Sequence, residues 1–233
     1  MLLAGKKVVV VGGSSGIGLA TAEMAKREGA DVIIASRNVE RLDKAAEKLN
    51  AIAIPADVTS DDSVAELFRR CGPVDHVVVT AAQLRTGPFK TVAMEDVRAT
   101  MEGKFWGAWR VAQQAQIRAG GSLTLVSGFL SVRPRPNSAI VSAANGALES
   151  LARALAPRTG AGARQCGIAR RHRYADPRRD AGSGAARHAG EDRCIAAGWP
   201  RRHAARISRG RSSASWRTVL RRDRSFISMA GRL

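Results

Sequence analysis

Along the first two thirds of the chain, short β-branched runs alternate with longer stretches in which apolar residues recur every three or four positions. Lys7–Gly12 is a continuous apolar run, the pattern of a strand buried on both faces. Ile17, Ala20 and Met24 then fall at helical spacing. The pairing repeats. Asp31–Ser36 predicts a second strand, and Val39, Leu42, Ala46 and Leu49 mark the next helix. Ala51–Asp57 predicts a third strand, followed by a stripe of Val64, Leu67, Phe68 and Cys71 with Thr59 or Ser60 as its cap. His76–Thr80 is the fourth strand. A long helix over about 95–118 carries Val97, Met101, Phe105, Ala108 and Val111 on one face. Ser122–Ser127 is the fifth strand, and a last helix covers about 138–156. Strands alternating with helices of this length predict an α/β fold, a doubly wound parallel sheet with right-handed crossovers. Its ligand crevice lies at the carboxyl ends of the strands.

Between the first strand and its helix stands Gly12-Gly13-Ser14-Ser15-Gly16-Ile17-Gly18. Gly12 permits a tight turn, Gly16 lets the backbone approach a pyrophosphate, and Gly18 lets the helix pack close to the strand. The helix N-terminus offers free N–H groups and a positive dipole end. A glycine triplet alone is weak evidence. With the strand before it and the helix after it, it predicts a dinucleotide loop in a Rossmann-like unit. Gly12, Ser14, Ser15, Gly16, Ile17 and Gly18 are its candidate contacts. The second strand ends in Ser36-Arg37, where an NAD site places an acidic residue for the ribose hydroxyls. A guanidinium can grip a 2′-phosphate in two-pronged fashion, so the pattern favours NADP over NAD. The plain alternative is a solvated Arg37 that opens the following helix.

The spacing Gly-x-x-x-Gly-x-Gly, read as GGSSGIG, resembles the short-chain dehydrogenase/reductase family. Other landmarks fall in order over residues 1–157. Asp57-Val58 resembles the pair that meets the adenine, and Thr80-Ala81-Ala82 sits where the family has Asn-Ala-Gly. Asp57, Val58 and Ala81 therefore join the candidate cofactor contacts. The family pattern has Thr just before its first glycine, and this chain has Val11. The resemblance implies hydride transfer between the cofactor and a small carbonyl or alcohol, and association through the helices near 95–118 and 138–156. In the family a Tyr acts as general acid/base, and a Lys four residues on lowers its pKa. A Ser places the substrate oxygen, and an Asn in the long helix supports a water. This chain departs at that centre. Val141 stands at the Tyr position, Asn145 at the Lys position and Lys104 at the Asn position. The Ser position falls on Gly128, with Ser127 beside it. Valine neither donates nor accepts a proton. Lys104, Ser127 and Asn145 are the remaining candidate catalytic groups. A buried Lys104 could serve as an acid if its pKa falls; the plain readings are a binding-only pocket or a Lys104 paired with a carboxylate. His76 reads as a polar strand end, and Trp106 and Trp109 as core or subunit-contact residues.

Charge divides the chain in two. Residues 1–157 carry 19 basic and 15 acidic residues, a balance of +4. Residues 158–233 carry 19 basic residues, all Arg, and 5 acidic ones, a balance of +14. The strand–helix alternation also stops there. A basic nucleic-acid-binding tail is one reading, but such tails mix Lys with Arg and interleave aromatics for stacking. An out-of-frame translation of GC-rich DNA, which yields Arg-, Ala- and Gly-rich protein, is the expected origin of the segment. With suitable codons, residues 163–176 read one base along give PVSVASPGVIDTP, and residues 216–231 read two bases along give ANGFTTGSVVHLDGG. These resemble the family's sixth strand with its Pro-Gly turn, and its last strand. The sequence thus predicts two segments: a nucleotide-binding unit over 1–157, and a tail over 158–233 that is no independent domain and lacks the last strands of the sheet.

The remaining composition removes other classes. No apolar run approaches the roughly 18–20 residues of a membrane span, and the start is not a secretory leader. A cytoplasmic protein is the expectation. Cys71, Cys166 and Cys194 are too scattered for a disulfide framework or a metal site, so no metal is expected. Three functions stay open: an NADP-dependent oxidoreductase with non-standard acid/base groups, an NADP-binding protein without redox turnover, and nucleic-acid binding through the Arg-rich tail.

Overall fold

A computed structural model describes residues 1–156 in full, and residues 165–171 and 226–229 by their backbone. The strands are β1 (Lys7–Val11), β2 (Asp31–Ser36), β3 (Ile52–Pro55), β4 (Val74–Val79), β5 (Ile117–Gly128), β6 (Gln165–Arg171) and β7 (Phe226–Met229). The helices are α1 (Gly16–Arg27), α2 (Val39–Leu49), α3 (Asp61–Cys71), α4 (Met94–Met101), α5 (Gly107–Gln114) and α6 (Ala139–Leu155). The sheet order is β3-β2-β1-β4-β5-β6-β7. Every pair is parallel except β6 with β7. The crossing from β1 to β4 is the point where the strand order reverses, and such a point opens a crevice at the carboxyl ends of the two strands.

β1 shows why the apolar runs are continuous. Val9 and Val11 join the core on one side of the sheet, and Val8 and Val10 the core on the other. Successive side chains point to opposite faces, so a strand covered on both needs apolar residues throughout. The helices are placed by caps and stripes. Asn38 accepts from Arg41 N–H to start α2, and Ser60 accepts from Ser63 N–H to start α3. Leu42, Ala45, Ala46 and Leu49 bury one face of α2, and Val39 stands at its exposed start. In α1 the buried face is Gly18, Ala22 and Ala25, not the stripe of Ile17, Ala20 and Met24. Small residues there let α1 lie close on the sheet.

Three expectations change. The long helix is interrupted: α4 and α5 are joined by a π-helical turn, Glu102–Trp106, and α5 ends at Gln114. β5 therefore begins at Ile117, five residues earlier than the apolar run alone indicates. Trp106 and Trp109 are exposed, which removes the core reading for both, and they pack edge-on against each other. The sheet also continues past β5. The outer edge of β5 offers backbone N–H and C=O groups, and backbone pairing does not require an apolar side-chain pattern. The expectation that residues 158–233 form no packed core otherwise lies outside the described residues.

At the amino end of the sheet Asp75 ties three strands together. It accepts from Lys7 N–H at 2.9 Å, Lys6 Nζ at 3.3 Å and Arg118 Nη1 at 3.0 Å. Burial by itself would raise this carboxyl. The N–H of Lys7 and the charges of Lys6 and Arg118 outweigh it, and the pKa is lowered. A carboxyl lowered in the fold stabilises the fold above the ordinary aspartate range. That contribution is lost as pH falls through the lowered value. Asp75→Asn is expected to cost about 1–3 kcal/mol near neutrality and to flatten the acid limb of stability against pH, checked by urea titration across the acid range.

Candidate functional site

The crevice is a cleft of about 370 Å³ over the carboxyl ends of β1, β2, β3 and β4. Its floor is the glycine loop. Gly12 has φ +91°, and a Cβ there would lie 2.5 Å from Thr80 Oγ1 and 2.6 Å from Ala81 N. A Cβ on Gly18 would strike the same Thr80 hydroxyl and overlap the Gly12 carbonyl. Both glycines are required by close packing. Gly16 differs. Its φ is +54°, and a Cβ would meet nothing within 4 Å. The backbone is left bare toward the cleft, where a phosphate needs to approach. Ser15 makes no side-chain cap to α1, unlike Asn38 and Ser60 on the next helices. The first N–H groups of α1 thus keep their donors for a ligand.

At the end of β2, Ser14 Oγ donates to Ser36 Oγ at 2.8 Å. Arg37 and Arg41 line the same corner, and Arg37 Nη1 reaches Gln83 Oε1 at 3.5 Å. Among the described residues that line the cleft there is no carboxylate. Two hydroxyls and two guanidiniums form a corner that suits a phosphate monoester better than a pair of ribose hydroxyls. Arg41, one turn into α2, was missed in the sequence because its i+4 distance from Arg37 carries no motif.

The wall beyond is Ala56, Val58 and Thr59. Asp57 stands behind it and does not line the cleft. Its Oδ1 accepts from Thr59 N at 2.9 Å and Thr59 Oγ1 at 2.8 Å. Asp57 is a positioning residue for the wall. Of the predicted cofactor contacts, Gly12, Ser14, Ser15, Gly16, Ile17, Gly18, Ser36, Arg37, Val58 and Ala81 all line the cleft. Thr80 does structural work the sequence did not announce. Its hydroxyl lies 3.1 Å from the carbonyl of Val11 and 3.2 Å from that of Gly12, which locks the loop to the end of β4.

The catalytic candidates gather at the end of β5 and behind the cleft lining. Lys104, in the π-turn, is buried and donates to the Val126 carbonyl at 3.1 Å. Burial pushes its pKa down to about 8. Among the described residues no carboxylate forms an ion pair with it, so the paired reading of Lys104 fails. Ser127 Oγ lies 2.9 Å from Glu149 Oε1 and 3.3 Å from the Asn145 carbonyl, and its one proton is held by this buried pair of acceptors. Asn145 packs its amide against Gly128, and its Oδ1 is buried with no donor in reach among the described residues. Val141 is buried at 3% exposure. His76 sits at the opposite end of the sheet, with Nδ1 2.9 Å from Ser122 Oγ, and burial pushes its imidazole down. It plays no part in this site. Among the described residues no cluster of His, Cys, Asp and Glu could hold a metal.

Arg110 holds the wall from outside. It pairs with Asp61 at the start of α3 at 2.5 Å and with Glu102 of the π-turn at 2.6 Å, and it donates to the Val58 carbonyl at 3.3 Å. Gly107, one turn earlier, has no room for a Cβ against Val58. Arg110→Leu is expected to speed hydrogen exchange at 57–60 and 102–106 while β1 and β4 keep their protection. It should also weaken binding of the family's dinucleotide, NAD(P), about tenfold. Exchange mass spectrometry and calorimetry check the two effects.

The short chain dehydrogenase family model matches residues 6–161. Gluconate 5-dehydrogenase of Gluconobacter oxydans is 31% identical over 167 residues, covering 66% of this chain and 65% of that protein. The short-chain dehydrogenase/reductase malC of Malbranchea aurantiaca is 30% identical over 177 residues, covering 66% and 67%. This chain therefore spans about two thirds of the length of these relatives. A crystal structure of a short chain dehydrogenase from Burkholderia cenocepacia in complex with NADP superposes with a TM-score of 0.63 at 30% identity, covering 68% of this chain and 71% of that one. With the glycine loop, the sheet order and the matched span in agreement, this chain belongs to the short-chain dehydrogenase/reductase family of oxidoreductases.

Proposed function

We propose that this chain binds NADP(H) in the cleft and acts as an oxidoreductase on a small carbonyl or alcohol, with acid/base groups other than the family's Tyr and Lys. The observation that carries this is the corner of Ser14, Ser36, Arg37 and Arg41, two hydroxyls and two guanidiniums with no carboxylate among the described residues of the lining. The bare backbone at Gly16 and the uncapped start of α1 fit the pyrophosphate. Bound there, the nicotinamide would supply or accept the hydride. The chain's own share is to hold a proton and to exclude water. Val141 can hold none. Lys104 can, with a pKa near the working range, and its remaining hydrogens are not taken by any carboxylate among the described residues. Asn145 Oδ1, buried without a donor, is an acceptor that a hydroxyl would satisfy.

A second reading is nucleotide binding without redox turnover. Lys104, Ser127 and Asn145 all stand off the cleft lining, and the Ser127 proton is committed to Glu149. Residues 158–233 are proposed to be an out-of-frame translation, which sequencing of the encoding DNA tests. If the frame is genuine, nucleic acid becomes a partner of the Arg-rich tail. A cytoplasmic location and self-association through α4–α5 and α6 complete the proposal. No described helix is long and apolar enough to cross a membrane.

Titration of NADPH fluorescence tests the cofactor. NADPH is expected to bind more tightly than NADH, and Arg37→Ala should weaken NADPH about 10- to 100-fold with little effect on NADH. Equal affinity for the two overturns the choice. Turnover of a carbonyl panel then separates the two readings. The state of Lys104 is tested by stability. Its folded pKa of about 8 lies below the ordinary 10.5, so the fold binds fewer protons than the unfolded chain between those values. Stability from this group is therefore lost as pH falls through about 8, and is fully present only above 10.5. The wild type should gain up to about 3 kcal/mol relative to Lys104→Met across that window. Cys71, which burial pushes up to about 11, is common to both proteins and cancels in the difference.

A further inference from the structure

Two loops leave the carboxyl ends of β4 and β5: residues 80–93, which line the cleft at 80–83 and run on to α4, and residues 129–138, between β5 and α6. A backbone bond from Gly87 N–H to the Asn137 carbonyl at 3.1 Å joins them. Between them they carry Arg85, Lys90, Arg133 and Arg135 and no acidic residue. None of the four lines the cofactor cleft, so the cofactor's phosphates do not account for them. Two acids follow closely, Glu95 and Asp96, and Asp96 is the partner of Arg85 at 3.7 Å. The β5–α6 side has no such balance. No acidic residue occurs between Glu102 and Glu149.

Arg133 and Arg135 are also held in place. Pro134 and Pro136 alternate with them and fix the backbone angles. Arg133 N–H donates to the Phe129 carbonyl at 3.1 Å, and its guanidinium lies over the Phe129 ring at 5.8 Å. Arg135 N–H donates to Ser138 Oγ at 2.9 Å, and the Arg135 carbonyl accepts from the Ser138 N–H and hydroxyl. Both guanidiniums are exposed, and among the described residues neither has a carboxylate partner. A stiff backbone removes part of the ordering cost when an anion binds, and the absence of internal counter-ions leaves the guanidiniums available to it.

We propose that Arg133 and Arg135 select a substrate that carries an oxyanion, a carboxylate or a phosphate, in addition to its carbonyl or hydroxyl group. This rests on the oxidoreductase reading for the identity of the reacting group, but not for the binding of the anion. A guanidinium pairs with either oxyanion in two-pronged geometry. Lys90, on the facing loop, adds to the positive field that draws such a molecule into the mouth.

The test is calorimetry on the full chain, with and without NADPH, using probes matched in shape. These are 4-oxopentanoate against 4-oxopentanamide, and dihydroxyacetone phosphate against dihydroxyacetone. The charged member of at least one pair is expected to bind about tenfold more tightly at low salt, with the gap narrowing at physiological salt. In Arg133→Gln/Arg135→Gln the gap should fall to about twofold or less, with the NADPH affinity unchanged, and the double Lys variant should keep part of it. The pair that shows the gap identifies the oxyanion. Equal binding within both pairs, no measurable binding of any probe, or an undiminished gap in the Gln variant overturns the proposal. If the anion preference holds but NADPH does not bind, the cofactor reading falls and this one stands.

Discussion

The close meeting of Gly12, Gly18 and Thr80 is the constraint from which the rest of the site follows. The Thr80 hydroxyl reaches two loop carbonyls, and this is possible only because neither glycine carries a Cβ. That contact brings the end of β4 against the start of α1. It defines the depth of the cleft and the direction in which the free N–H groups of α1 point. The phosphate corner, the wall at Val58 and the π-turn are all positioned relative to this contact. A residue without a polar group at position 80 would lose both side-chain contacts and leave only the backbone bonds from Thr80 and Ala81 N–H to the Val11 carbonyl.

The alternation of apolar runs with helical stripes made the first five strands and their helices readable. Buried strands and amphipathic helices are enforced by water, and they leave a period in the sequence. The places where that reading slipped are instructive. Ala20 looked like a core position in α1, but the helix presents its smallest residues to the sheet. Distance to the sheet, not hydrophobicity, governs that face. The break of the long helix at Glu102–Trp106 has no proline, but Gly103 lies in it and Gly107 follows it. Both sit where a Cβ has no room, Gly103 against Gln83 and Gly107 against Val58, so their meaning is tertiary and not legible in a helical period. Asp57 was readable as part of the adenine region, whereas its hydrogen bonds to Thr59, a local turn behind the wall, leave no period or motif in the sequence.

The two ends of the cleft differ in how much the sequence could say. The phosphate end depends on backbone geometry, and glycines report backbone geometry directly. The reacting end depends on which way a few long side chains turn. Ser127 illustrates the difference. One residue of register in a strand decides whether a hydroxyl faces the cleft or the helix behind it. Ser127 faces α6 and donates its hydrogen bond to Glu149, and the neighbouring Gly128 is backed by the Asn145 amide of the same helix, so neither position turns a hydroxyl to the cleft. Lys104 and Asn145 converge on the same few residues of β5 from two different helices.

The sheet order has a consequence for how the protein comes into being. β1 leaves the ribosome before both of its neighbours in the finished sheet, β2 on one side and β4 on the other. Its second neighbour does not exist until Val79 has been made. At about 5–20 residues per second, the interval between the end of β2 and the end of β4 lasts on the order of seconds. Through that interval a strand of four consecutive valines carries an open edge and two apolar faces. The nascent chain, more than the finished one, is the species that needs shelter from aggregation. A chaperone that holds the emerging valines until residue 79 appears would raise the yield of folded protein without affecting its final stability.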